Sequence, residues 1–240
     1  MSKPEKPSGD PFAEFDLICE FPFAAGTFGE LRRYVRTVYQ FLPHASAQQS
    51  IRIEAQLARE ADPVRTGELE YELELSAHDA AVMLPRVVWG GVLVSIFAAY
   101  ENGVRTALRH WQSSTGELEE FHLLSRKDFL KSADVYADAH LGVALFQNNK
   151  LREALTALKS FRNSFAHGSG LVSDLPDAIA KAIREKRHAG VMVEIVDGQW
   201  VANARCAAYY LLSAERAINQ FGDAVLAKCL QHHRAQPTEF

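Results

Sequence analysis

The sequence predicts an all-α protein: a helical bundle carrying one small β-hairpin near its C-terminus. Three observations predict it. Leu93, Phe97, Tyr100, Val104, Leu108 and Trp111 fall at helical spacing and form one long apolar seam. Leu151, Leu155, Leu158 and Phe165 repeat that spacing later in the chain, with Phe161 on the flank. Asp197-Gly198 stands between two apolar runs and supplies the tight turn that a hairpin over 191–202 needs.

The elements follow in chain order. Met1 to Pro11 is polar and proline-rich, and Phe12 to Phe23 reads as extended, so 1–26 is expected to be a disordered or extended segment. Thr27 with Glu30 forms a capping box for a helix that Pro43 should end near Leu42. Ser46 to Glu60 is a second helix, broken at Asp62-Pro63. Glu68 to Ser76 alternates acids with Leu69, Tyr71, Leu73 and Leu75, which is strand-like, but the longer pattern through Ala80, Met83 and Val87 favours a helix. The longest helix runs from about Ala77 to Trp111 with a kink near Pro85. Its apolar core, Val87 to Tyr100, is too short for a membrane span. Ser113 to Glu117 is a loop; Glu119 to Leu130, Ser132 to Phe146, Asn148 to Ala166 and Asp177 to His188 are helical. Cys206 to Gln231 is a closing amphipathic helix, and 232–240 a flexible tail. The organisation is thus an N-terminal helical extension over 27–76 and a main domain over 77–231.

Composition is ordinary for a globular chain of 240 residues, with 48% apolar and 23% charged residues. A net charge of −4 excludes a generally basic nucleic-acid binder. The charge is uneven, however. Lys150 to Gly190 holds eight basic residues against four acidic ones, an excess of four, so the rest of the chain is at −8. A locally positive surface there suits a phosphate-bearing ligand. Cys19, Cys206 and Cys229 form no CxxC pair and fit a reducing, cytoplasmic setting. No HExxH pattern occurs, and His232-His233 stands in the expected tail without a cluster of ligands, so neither metal nor cofactor is expected.

The basic segment contains Arg162-Asn163-Ser164-Phe165-Ala166-His167, followed by Gly168. Eleven residues are close to three helical turns, so Arg162 points nearly the same way as Leu151, along the apolar stripe. A cation there is costly unless it is paired or opens onto a cleft. Asn163 and His167 are four apart and share a face, whereas His167 lies roughly 140° round the helix from Arg162. Gly168 and Gly170 should end the helix at His167. Tyr100 and Trp111 read as core residues, and Glu101 with Arg105 forms an i,i+4 pair.

Arg162-Asn163-x3-His167 resembles the Arg-x4-6-His signature of HEPN domains, many of which are metal-independent ribonucleases. The likeness extends over roughly Ala80 to Leu230, through Tyr100-Glu101, Lys127-Asp128, the motif itself, the hairpin and the closing helix. It is similar to the larger stand-alone HEPN proteins of bacterial toxin and anti-phage defence systems. The resemblance implies an antiparallel helical bundle and a homodimer in which two motif helices meet. It implies an RNA substrate, with no DNA and no membrane partner, and leaves room for a cognate antitoxin. Arg162 and His167 would be catalytic, the first stabilising charge on phosphate and the second moving protons, since imidazole alone titrates near neutrality without tuning. Asn163 and Glu101 would support them, Asn163 orienting the His or binding phosphate and Glu101 holding Arg162 or Arg105. Lys159 and Arg152 would bind substrate. A non-catalytic HEPN module, dimerising and binding a nucleotide or a partner protein, is the other expectation.

Overall fold

The computed structural model describes residues 25–116, 128–167, 170–186 and 192–235. Among them lie seven α-helices and one hairpin: α1 (Ala25–Leu57), α2 (Pro63–His78), α3 (Leu84–Thr115), α4 (Phe129–Leu141), α5 (Asn149–His167), α6 (Asp177–Arg184), β1 (Val193–Val196), β2 (Gln199–Ala202) and α7 (Ala204–Ala235). The all-α class is therefore as the seams predict, and the strands pair antiparallel with Val196 opposite Gln199. Asp197 and Gly198 take φ of 51° and 75°, as a type I′ turn requires.

α3 is the centre of the core. It buries Leu93, Ile96, Phe97, Tyr100, Val104 and Leu108, while Tyr100 and Trp111 sit in the core as their seam predicts. α5 crosses it antiparallel: Gly90 meets Phe165 at one end and Phe97 meets Arg162 one stretch further on. α7 runs parallel to α3, since Gly103 touches Ile218 and Trp111 touches His232. His232 and His233 thus belong to α7 and not to a tail, because the helix continues to Ala235 along α3.

Other boundaries shift for identifiable reasons. α1 is already helical at Ala25, so Thr27 lies within it and not at its cap. The helix also passes through Pro43. A helix-interior proline costs about 3 kcal/mol, and here α1 is held on both sides of it. Phe28 and Val35 are buried in the main core, Arg32 pairs with buried Glu215 at 3.2 Å, and Ile53 is buried beyond the proline. Asp62 caps α2 through the Val64 N–H at 2.9 Å, with Pro63 as first residue. α2 then joins α3 through one π-helical turn, Asp79–Met83, ahead of Pro85. The boundary expected between 76 and 77 falls inside this rod, and the rod, Pro63–Thr115, is long and apolar enough by length and composition to cross a membrane. Its seam nevertheless packs on α5 and α7. The expected helix over 132–146 ends at Leu141, where Gly142 adopts φ of 61° and donates to the Ala137 and Asp138 carbonyls. α6 ends at Arg184, earlier than His188. Of the segment 1–26 expected to be disordered or extended, Ala25 and Gly26 are helical and the rest lies outside the described residues; α3 continues to Thr115 through the start of the loop expected over 113–117, and 119–127 of the helix expected over 119–130 lies outside the described residues.

The strand-like alternation over 68–76 resolves as a helix with two apolar faces. Leu69 and Ser76 are buried, whereas Tyr71 and Leu75 are 66% and 49% exposed. Residues two apart on a helix are about 200° apart, so alternation puts apolar groups front and back.

Gly90 sets the approach of α3 to the motif helix. A Cβ there would overlap the Phe165 ring, with Cζ at only 2.8 Å. Gly90→Ala gains about 1 kcal/mol of helix propensity. It should nevertheless lower stability, because overpacking costs about 1–3 kcal/mol and the ring is backed by Trp200. A lower urea midpoint is expected; a raised one would show that the ring relocates freely.

Candidate active site

Asn148 starts the motif helix by accepting the Leu151 N–H at 2.9 Å. The buried face of α5 is Ala154, Leu155, Leu158, Phe161 and Ser164. Phe161 is thus at the middle of the seam and not on its flank, in edge contact with Trp200 at 5.0 Å and Tyr210 at 5.9 Å. The rotation moves Arg162 to the seam's edge, where it is half-buried.

There its guanidinium lies 5.8 Å from the Phe97 ring centroid, and Nη1 donates to the Asn163 Oδ1 at 2.9 Å. Among the described residues Arg162 makes no ion pair. A guanidinium has five N–H donors, so most of this one's capacity is unspent. Asn163 therefore orients the arginine within the chain.

His167 is the last residue of α5 and is exposed. The structure brings Arg162 and Asn163 together and leaves His167 about a third of a turn or more away on the helix surface. Arg162 leans toward α3, and His167 faces outward. Gly168, expected to end the helix, lies outside the described residues; Gly170 follows with φ of 72° and donates to the Ser164 carbonyl at 3.4 Å.

The supporting residues divide. Glu101 accepts from Arg105 at 2.8 Å, and Arg105 lies over Phe129, so Glu101 does not hold Arg162. One helical turn separates Glu101 from Arg105, a shorter reach than across to α5. Lys159 pairs with Asp128 at 2.7 Å and Arg152 with Asp134 at 3.1 Å. These four side chains, with Leu130, Lys131, Phe146 and Thr156, line a cavity of about 200 Å³ between α4 and α5. The Lys159 ammonium holds the Asp128 carboxyl below the usual carboxylate range, helped by the Lys131 backbone N–H. That staple is present above the unfolded carboxylate's pKa and is lost as pH falls through the depressed folded one.

Sequence reasoning missed the tie behind the motif. Ser164 is buried; its hydroxyl donates to the Leu171 carbonyl at 3.1 Å and accepts from the Trp200 Nε1–H at 3.0 Å. Trp200 is fully buried and also flanks Phe165. The signal lay in the hairpin, where the Asp-Gly turn pairs Trp200 with half-exposed Ile195 and leaves the tryptophan on a face that α5 must cover.

Comparison with known proteins finds no family model that matches the chain, no matching curated protein and no matching solved structure.

Proposed function

We propose that this chain is a metal-independent endoribonuclease of the HEPN type, acting as a toxin or anti-phage effector, with its active site shared between two copies. One observation carries the reading: Arg162 is a half-buried guanidinium held by Asn163 with no carboxylate partner among the described residues, on the same helix end as an exposed imidazole. A half-buried guanidinium without an anion among the described residues suits an anionic ligand, and phosphate is the matching shape.

The chemistry follows from the groups. The ribose 2′-oxygen attacks phosphorus, forming one P–O bond as the bond to the 5′-oxygen breaks. One His167 takes the 2′-hydroxyl proton, and the leaving 5′-oxygen takes a proton from the second His167 in the intact dimer or from water where that histidine is absent. The guanidinium of Arg162 binds the non-bridging oxygens, where charge accumulates. The products are a 2′,3′-cyclic phosphate and a 5′-hydroxyl. Because Arg162 and His167 diverge on one helix, a two-fold axis beside α5 supplies the Arg of one copy to the His of the other.

A second reading has its own support. The outer face of α2, with Val64, Tyr71 and Leu75 exposed, suits a HEPN module that docks a partner protein, a cognate antitoxin included.

The test is RNA cleavage with EDTA present, the 3′ ends assayed for cyclic phosphate, and light scattering for a species of twice 26.7 kDa. An Arg162→Ala chain co-expressed with a His167→Ala chain should recover part of the activity, since one Arg and one His then meet across the axis. Wild type paired with the double variant outperforming that heterodimer would place both groups within one subunit. A monomer that cleaves RNA would remove the shared site altogether.

A further inference from the structure

The cavity between α4 and α5 joins the motif along a single face of the helix. Residues seven and eleven apart nearly eclipse on an α-helix, so Arg152, Lys159 and Asn163 stand in one line, with Thr156 and His167 about 40° and 60° round from it. The axial rise from Lys159 to His167 is about 12 Å. A strand whose scissile phosphate lies at His167 therefore runs directly over the cavity if it follows α5.

The two cations in that line are occupied, and the way they are occupied is informative. Asp128 Oδ1 accepts from Lys159 and also from the Lys131 N–H at 3.3 Å, capping α4. Asp134 accepts from Arg152 at Oδ2 and from the Leu145 N–H at Oδ1, the latter at 3.0 Å. Each carboxylate thus keeps a backbone donor when its cation leaves. Neither cation is buried: Lys159 is 22% exposed and Arg152 is 51% exposed, with its guanidinium 5.5 Å from the Phe146 ring centroid. Pairs this open contribute little to stability, about 0–1 kcal/mol each. They are cheap to exchange for another anion.

We infer that this cavity is a phosphodiester subsite for single-stranded RNA, kept closed by Asp128 and Asp134 until the strand's own phosphates displace them from Lys159 and Arg152. The inference rests on the ribonuclease reading of the neighbouring motif. A single strand fits because in-line attack by a 2′-oxygen needs a backbone free to leave helical geometry. The carboxylates set a threshold: a ligand with one phosphate opens one pair, whereas a strand opens both and reaches the motif. They also turn away ligands that bring no phosphate to exchange.

Binding of a short, fluorescent 2′-O-methyl oligoribonucleotide tests this. It lacks the attacking hydroxyl, so the full wild-type chain serves and the readout does not depend on cleavage. Asp128→Asn and Asp134→Asn keep the acceptor for the backbone N–H and release the cation. Each should tighten binding by up to about fivefold, since an open ion pair no longer has to be broken, with the salt slope near that of wild type because the same cations meet the strand. Lys159→Ala and Arg152→Ala should each flatten the slope of log K against log salt by about 0.7, and these positions, part-exposed and exposed, keep the assay informative if an Asn variant folds poorly. Unchanged slope and affinity in the Asn and Ala variants alike would reduce the pairs to staples between α4 and α5 and overturn the proposal. So would a wild type that fails to bind the oligonucleotide. Cleavage surviving in Arg162→Ala and His167→Ala is a separate result, which removes the catalytic reading and leaves the binding series standing on its own.

Discussion

Replacing Arg162 or His167 with alanine should lower RNA cleavage by about 10²- to 10³-fold each while leaving the fold intact, the magnitude typical of removing one preorganised donor from a transferring centre. The separation of the two effects follows from position. His167 is exposed at the end of α5, where a surface substitution moves stability by about 0.5 kcal/mol or less. Arg162 is half-buried, but among the described residues its contacts are one hydrogen bond to Asn163 and the Phe97 ring, with no ion pair that its loss would orphan. Melting curves of both variants should overlay that of the wild type while the rates collapse. Arg162→Lys should not rescue, because a point ammonium lacks the planar fork that grips two phosphate oxygens. Cleavage that survives in both alanine variants, or that stops on chelation, would assign the activity elsewhere.

The second large effect lies behind the motif. Trp200→Ala should cost about 3–5 kcal/mol, the range for emptying a buried aromatic site. The ring is fully buried, packs on Phe161 and Phe165, and gives its N–H to Ser164. Trp200→Phe keeps most of the packing and removes the bond, so about 1 kcal/mol is expected. Urea unfolding of the two variants against wild type measures both. If Trp200→Ala unfolds at the wild-type midpoint, the hairpin is an ornament to the motif helix and not its support.

Much of this arrangement is written in the sequence at short range. The Asp197-Gly198 turn and the Asn148 to Ala166 helix are local patterns that land within a residue or two of their expected places, and the α3 seam is buried as expected although its helix begins at Leu84, not near Ala77, and ends at Thr115, not Trp111. What failed was decided at long range. Pro43 signals a stop, but Phe28 on one side and Ile53 on the other are held by different neighbours, and the helix runs through. The alternation at 69–75 has two solutions, and only the packing of α2 on α1 selects the helix. At the site, spacing alone could place Arg162 within a fraction of a turn, but not say that Phe161 would take the centre of the seam. That depends on Trp200, which no window around the motif contains. Glu101 shows the same limit: its sequence neighbour Arg105 was a stronger partner than a residue brought near by folding.

The bond between Ser164 and Trp200 spans 36 residues of chain, and that span is also an interval of time. A ribosome adds roughly 5–20 residues each second, so the motif helix leaves the tunnel some two to seven seconds before its tryptophan does. α7, which closes the far side of Phe161 through Tyr210, arrives later still. During that window the chain carries Arg162 and His167 on a helix whose last turn can lean on α3 at Gly90 but lacks Trp200 behind it. A nascent chain, or one truncated before the hairpin, holds the proposed catalytic pair without the support of Trp200. The order of synthesis thus withholds the support of the motif helix until the hairpin and α7 exist.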